Sequence, residues 1–211
     1  MGTVRFVSLD LDGTLVTKEY VDYFWLELVP RLYAKRYGVS LNKAKREVLS
    51  KYNEVGSQDL RWYIPRYWFT HLGLSLELLP KALEEAGQLV KPYEDAMSFL
   101  NKAQGKVELV LCTSASREFI DLVFNRVPTL AESVSRVFSS VSDFLLPGKP
   151  VEFYKAVLRV LRAAPRDVIH VGDDPDADYR VPLSIGIKAY LIDRSGKCGP
   201  NSLLELLDII A

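Results

Sequence analysis

A chain of 211 residues, 48% of them hydrophobic, has enough apolar material for one large α/β domain or for a core domain with a modest insertion. Lys plus Arg and Asp plus Glu balance at 27 each, so no global field recruits nucleic acid or an anionic membrane, and any anion site must be local. The N-terminus lacks the basic, apolar, small-residue order of a signal peptide, and no apolar run approaches the roughly 20 residues that span a bilayer, so a soluble cytoplasmic protein is expected.

Val4, Phe6, Val7 and Leu9 make a β-prone run between Gly2 and Gly13, which predicts a buried central strand ending at Asp10 and Asp12. If extended backbone persists through Leu11, these two carboxylates share one side and face one small volume. Like charges held that close call for a cation between or beside them, or for a proton on one. Gly13 lets the chain turn sharply, and the Thr14 hydroxyl can fix that turn. Taken alone, Asp before Gly is also an ordinary turn signal.

From residue 20 to residue 90 no strand pattern appears, and apolar residues recur at helical spacing. Four short helices are expected. Val21, Phe24, Trp25, Leu28 and Leu32 form the first stripe, and Leu41, Ala44, Val48, Tyr52 and Val55 the second, behind a Ser40 cap. Leu60, Ile64, Tyr67, Trp68 and His71 form the third, and Leu76, Leu79, Leu83, Ala86 and Val90 the fourth. Pro30, Pro65 and Pro80 should start, end or kink helices. Tyr23, Trp62 and Tyr67 are candidates to line a pocket, although helix packing claims most such aromatics. The basic residues from Arg31 to Arg46 read as solvated surface.

Pro92 suits a first helical position, so residues 93–103 are expected as a helix, with Gly105 before a strand at 107–112. Helix 116–126, strand 137–140, helix 151–163, strand 168–171, helix 176–185, strand 188–192 and helix 201–210 follow in alternation. This pattern predicts a Rossmann-like parallel sheet with helices on both faces, its core formed by residues 1–17 and 91–211, and an all-α insertion at 18–90. Ligands bind such sheets at the carboxyl ends of the strands. Cys112 falls in a strand and Cys198 in a Gly-rich loop, so no structural disulfide is expected.

The polar residues that follow the strands are Asp10 and Asp12, then Thr113 and Ser114, then Asp173 and Asp174. Carboxylates suit a hard divalent cation such as Mg²⁺, and a hydroxyl with turn amides can hold phosphate oxygens. Lys149, in P-G-K-P before a helix, can neutralise charge on a transferring group. Asp174 and Asp176 read mainly as helix caps, and His71 and His170 as structural histidines.

Asp10-Leu11-Asp12-Gly13-Thr14, residues 109–113, Lys149-Pro150, and Val171-Gly172-Asp173 with Asp178 stand in one order. On these motifs the sequence resembles the haloacid dehalogenase superfamily, over roughly residues 4–14 and 92–194, and the resemblance makes the insertion at 18–90 an all-α cap domain. The resemblance implies that Asp10 is the nucleophile, Asp12 the acid and base, and Thr113, Ser114 and Lys149 the phosphate-binding residues. It implies Mg²⁺ held by Asp10, Asp173 and the Asp12 carbonyl, with Asp178 acting through hydrogen bonds or metal-bound water and Asp174 a further candidate. Ser114 stands where the family often has Asn. The expected activity is a Mg²⁺-dependent phosphatase for a small phosphorylated metabolite, acting through an aspartyl-phosphate as a monomer or homodimer. A phosphomutase shares every one of these motifs. A dehalogenase needs neither Mg²⁺ nor an acid at position 12, and a non-catalytic phosphate-ligand-binding protein has no use for the full set of acids.

Overall fold

The strands Phe6–Leu9 (β1), Glu108–Thr113 (β2), Arg136–Ser139 (β3), Val168–Gly172 (β4) and Lys188–Leu191 (β5) are seen in a computed structural model that describes residues 4–194 and 200–210. All neighbours pair in parallel, in the order β3-β2-β1-β4-β5. β1 therefore lies at the centre, with Leu9 opposite Leu111 on one side and Val171 on the other. Parallel pairing requires crossovers, and the crossover helices bury both faces of the sheet. Val7, Leu9, Leu109, Leu111, Ile169 and Val171 enter one apolar cluster. The alternate positions Phe6, Val110, Cys112 and Val168 enter the other, as the two-residue period of a strand dictates.

The residues between β1 and the helix Glu94–Ala103 are helical, as expected, and pack in the first of these clusters. Glu19–Tyr23, a π-helical turn at Phe24–Leu28, and Val29–Tyr37 run on without a break. Pro30 sits in the first turn of the last piece. It has no N–H to give to the carbonyl four residues back and its ring crowds that carbonyl, so the preceding turn is wound more loosely. Leu41–Val55, Pro65–His71 and Leu79–Gly87 follow, with Pro65 and Pro80 also in first turns. The Ser40 hydroxyl accepts from the Lys43 amide at 3.4 Å. Leu41 leaves the expected stripe, being 41% exposed, and Ala44, Val48 and Tyr52 bury the face instead. Arg31, Lys43 and Lys45 pair with Glu85, Glu47 and Glu27 at the surface, where such pairs contribute about 0–1 kcal/mol each.

Several boundaries differ from the sequence reading. Pro92 forms an antiparallel bridge with Val16 and leaves Tyr93 at the start of Glu94–Ala103. Ser116 stands just before Arg117–Arg126. Residues 176–185 divide into a π-helical Pro175–Arg180 and a short Val181–Ser184. The last helix opens with a 3-10 turn, Leu203–Leu206, before Leu207–Ile210. Cys112 is buried and free, and burial pushes its thiol up to about 12. Cys198 lies outside the described residues. Among the described residues no helix is long and apolar enough to cross a membrane.

Candidate active site

The carboxyl ends of β1, β2 and β4 lie side by side because these strands are neighbours. Asp10 continues the pairing, its amide donating to the Val171 carbonyl at 2.9 Å. The chain then bends at Leu11. Gly13 adopts φ +82°, and its amide donates to the Val16 carbonyl at 2.7 Å. Beyond this bend the two carboxylates take different partners. Asp10 turns toward Lys149, while Asp12 accepts from the Tyr20 hydroxyl at 2.6 Å. Thr14 does not fix the turn through its hydroxyl, which is buried and has no hydrogen-bond partner among the described residues.

Carboxylate oxygens of Asp10, Asp173 and Asp178 lie within 4.8 Å of one another. Asp173 and Asp178 reach this point because β4 ends at Gly172 and the chain coils at once into the π-helical turn. Asp174 caps that turn, its Oδ1 accepting from the amides of Asp176 and Ala177 at 2.8 Å each. Asp174 thus takes the capping part read from the sequence. Asp176 does not, since its carboxylate pairs with Arg180 at the surface. A side chain on Gly172 would put its Cβ 2.2 Å from Asp178 Cγ, and one on Gly13 would come 2.4 Å from Asp173 Oδ2. The carboxylates therefore rest directly against bare backbone.

Two lysines balance the acids. The Lys149 ammonium, buried as a solvated lysine would not be, lies 2.6 Å from Asp10 Oδ1 and 2.5 Å from Asp178 Oδ1. Lys18 lies 2.6 Å from Asp173 Oδ2. Burial raises the proton affinity of Asp10, and Lys149 opposes it without prevailing; the nearby Asp178 adds to the rise. Burial alone would do the same to Asp178, but Lys149 and His170 outweigh it and hold that carboxyl far below its ordinary value. Burial likewise pushes Asp12 up to about 6, against the pull of the Tyr20 hydrogen bond and of Lys18. A carboxyl there gains and loses a proton near neutrality, which suits a group that must do both.

Behind Asp178 stands a buried polar chain. His170 Nε2 lies 2.8 Å from Asp178 Oδ1, and its Nδ1 lies 2.8 Å from the Ser8 hydroxyl, the residue directly opposite it in the β1–β4 register. Burial lowers the His170 pKa and keeps the ring neutral. A carboxylate only accepts, so Nε2 carries the proton and Ser8 donates to Nδ1. Tyr154 closes the group, donating to the Ala177 carbonyl at 2.7 Å. His170 is thus the buried structural histidine expected, and it also fixes a site carboxylate. Both oxygens of Asp178 are engaged, since Oδ2 accepts from the Asp174 amide at 3.1 Å.

Thr113 ends β2 at the same edge, its Oγ1 accepting from the Ala115 amide at 3.0 Å, and Ser114 follows it. A cavity of about 330 Å³ opens beside Asp12 and Ser114, walled by Trp25, Tyr52, Trp62 and Phe119. Of the aromatics singled out in the sequence only Trp62 lines it. Tyr23 turns away to donate to Glu85 at 2.7 Å, and Tyr67 stacks on His71. Lys18, Tyr20, Ser8 and Tyr154 were missed altogether. Only the Ser8 and His170 pair carried a sequence signal, as polar residues at matching alternate positions of two apolar strands.

A family model described as haloacid dehalogenase-like hydrolase matches residues 4–186. The GMP/IMP nucleotidase YrfG of Escherichia coli (strain K12) is 35% identical over 110 residues, which are 51% of this chain and 48% of that protein. The chain thus matches about half the length of this curated relative. The structure of a HAD phosphatase from Thermococcus onnurineus superposes with a TM-score of 0.84 at 22% identity, covering 99% of this chain and 98% of the other. A 2-haloacid dehalogenase from Pseudomonas syringae pv. Tomato DC3000 gives 0.68 at 17%, covering 99% and 100%. These two likenesses show the fold.

Proposed function

The chain belongs to the haloacid dehalogenase-like hydrolases, and from that premise we propose that it is a Mg²⁺-dependent phosphatase acting on a small phosphate monoester. The observation that carries this reading is the convergence of Asp10, Asp173 and Asp178 on one point, with Lys149 bonded to two of them. Three carboxylates and two ammonium groups are more charge than a carbon–halogen displacement needs, and they match what a phosphoryl group demands. The E. coli relative, named for hydrolysing nucleotides, favours phosphate esters over halogenated acids.

The cluster of Asp10, Asp173 and Asp178 is all oxygen and rich in negative charge, so it fits a hard divalent cation, to which the resemblance adds the Asp12 carbonyl as a ligand. When bound, Mg²⁺ neutralises these acids and the charge that develops on the phosphoryl oxygens. The Asp10 carboxylate attacks phosphorus in line with the ester oxygen. As the P–O bond to the leaving group breaks, Asp12 gives that oxygen its proton, leaving a phosphoaspartate on Asp10 and an alcohol. Asp12, now ionised, takes a proton from water as the water attacks the phosphoaspartate, which releases phosphate and restores both groups. Lys149 and Thr113 hold the phosphoryl oxygens, with Ser114 beside them. Residues 18–90 act as a cap over the carboxyl end of the sheet, excluding bulk water during the first step.

Phosphate release should be measured over a panel of esters, with millimolar Mg²⁺ and with chelator. Turnover of at least one ester that chelator abolishes and added Mg²⁺ restores is the expected result. Full activity in chelator, or no phosphate from any ester, would count against the reading.

A further inference from the structure

The cavity beside Asp12 selects by its composition. Trp25 and Tyr52 meet at 5.7 Å and 89°, Tyr52 and Trp62 at 6.2 Å and 66°, and Trp25 and Phe119 at 5.8 Å and 61°. These are edge-to-face contacts, and among the described residues no aromatic ring lies parallel to either indole. The wall is therefore a set of large apolar surfaces not already stacked upon. Neither the Trp25 nor the Trp62 indole N–H has a hydrogen-bond partner among the described residues. Leu26 and Leu49 extend the apolar lining to the rim, where they are 44% and 37% exposed.

The charged groups that line the cavity are all negative. Asp12 and Asp22 are the acids there, and among the described residues no lysine, arginine or histidine lines it. A leaving group bearing a second phosphate or a carboxylate would enter beside the Asp22 carboxylate, with no cation among the described lining residues to pair with it. A bare polyol would lose water from each hydroxyl against mainly apolar walls. What polar capacity exists is sparse and placed. Ser116 is 1% exposed, lines the cavity, and its hydroxyl has no hydrogen-bond partner among the described residues. Asn53 adds an amide at the other side. A buried hydroxyl left without a partner beside an aromatic cavity awaits one from a ligand.

Building on the phosphatase reading, we infer that the group esterified to phosphate is uncharged and carries a flat aromatic ring with a hydrogen-bonding edge, as a nucleoside does. The phosphoryl group sits at Asp10, and the ring lies against Trp25 and Trp62 with its polar edge within reach of Ser116 or Asn53. Anionic and purely polyol esters are poor substrates.

The test compares kcat/KM, in Mg²⁺, for adenosine 5′-monophosphate, ribose 5-phosphate and 3-phosphoglycerate. Ribose 5-phosphate is the same ester without the ring, and 3-phosphoglycerate carries the extra charge. The nucleotide should exceed the ribose ester by about tenfold or more, the order of one stacked base, and the glycerate by a wider margin. Trp62→Ala should collapse the ratio of nucleotide to ribose ester toward one, with a cooperative melt showing that the variant is folded. Ser116→Ala, a smaller change, should raise KM for the nucleotide about fivefold with kcat little altered. Equal turnover of all three esters, or a ratio that neither variant moves, would overturn the inference. If no ester, including p-nitrophenyl phosphate, releases phosphate, the phosphatase reading has failed and binding decides this one. Calorimetric titration should then show the nucleotide binding about tenfold tighter than ribose 5-phosphate, and equal affinities would overturn it.

Discussion

Tyr20 reaches across from the first helical residues to hold Asp12 at 2.6 Å, and nothing else among the described side chains fixes that carboxyl so closely. Tyr20→Phe keeps the packing and removes the bond. Because the bond orients the acid rather than the substrate, kcat should fall about tenfold with KM little changed, the order expected for one hydrogen bond to a charged group. Steady-state kinetics check this, and an unchanged kcat would show that Asp12 needs no such support. Asp10→Asn should lower turnover by more than about a thousandfold while the cooperative melt survives. Undiminished hydrolysis by the folded variant would remove Asp10 from the nucleophile's place. Asp10, Asp12, Lys149 and Asp173 were legible because a few short motifs place them after strands. Lys18, Tyr20 and Tyr154 were not, since each earns its role only by meeting a partner brought near by tertiary folding.

The π-helical turn Pro175–Arg180 shows how one cap positions an active group. Asp174 receives the amides of Asp176 and Ala177, and Asp178 projects from the same turn onto Lys149. Asp174→Ala should therefore cost about 1 kcal/mol in a denaturant melt, whereas Asp174→Asn, which caps equally well, should cost little and leave activity near that of the wild type. A large loss of activity in the Asn variant with stability retained would instead make Asp174 a participant at the metal. The sequence marked this stretch as a helix start but not as a π-turn. Likewise it marked Pro30 as a helix disturbance without showing that the chain absorbs it as one loosened turn. Apolar periodicity reports which residues face the core. It is much less sensitive to which hydrogen-bond ladder the backbone chooses.

At the scale of the whole molecule, a cation that binds only where the fold brings Asp10, Asp173 and Asp178 together stabilises the folded state. Millimolar Mg²⁺ should raise the melting temperature above that in chelator, by the equivalent of about 2.7 kcal/mol if the metal stands at a hundred times its Kd. No shift would argue against a preformed site. The C-terminal segment is held by Asp95, whose Oδ2 accepts from Arg194 at 2.7 Å, from the Leu203 amide at 2.7 Å and from the Ser202 hydroxyl at 3.3 Å. Burial alone would raise the Asp95 pKa, but these donors outweigh it and hold the carboxyl below its usual value. Its stabilising effect is therefore present above the ordinary carboxylate value of about 4 and is lost as pH falls through the lowered one. Asp95→Asn should lower the melting temperature at pH 7, and the gap from wild type should close toward pH 3. A gap independent of pH would mean that packing rather than charge ties the segment down. The central place of β1 also sets an order of assembly. Its partners lie about a hundred residues on, at β2, and about a hundred and sixty on, at β4. At ribosomal rates β1 waits on the order of ten seconds or more for β4 to be synthesised. Asp10 is thus synthesised well before Asp173 and Asp178, so the three carboxylates meet in a nascent chain only once β4 and the turn after it are in place.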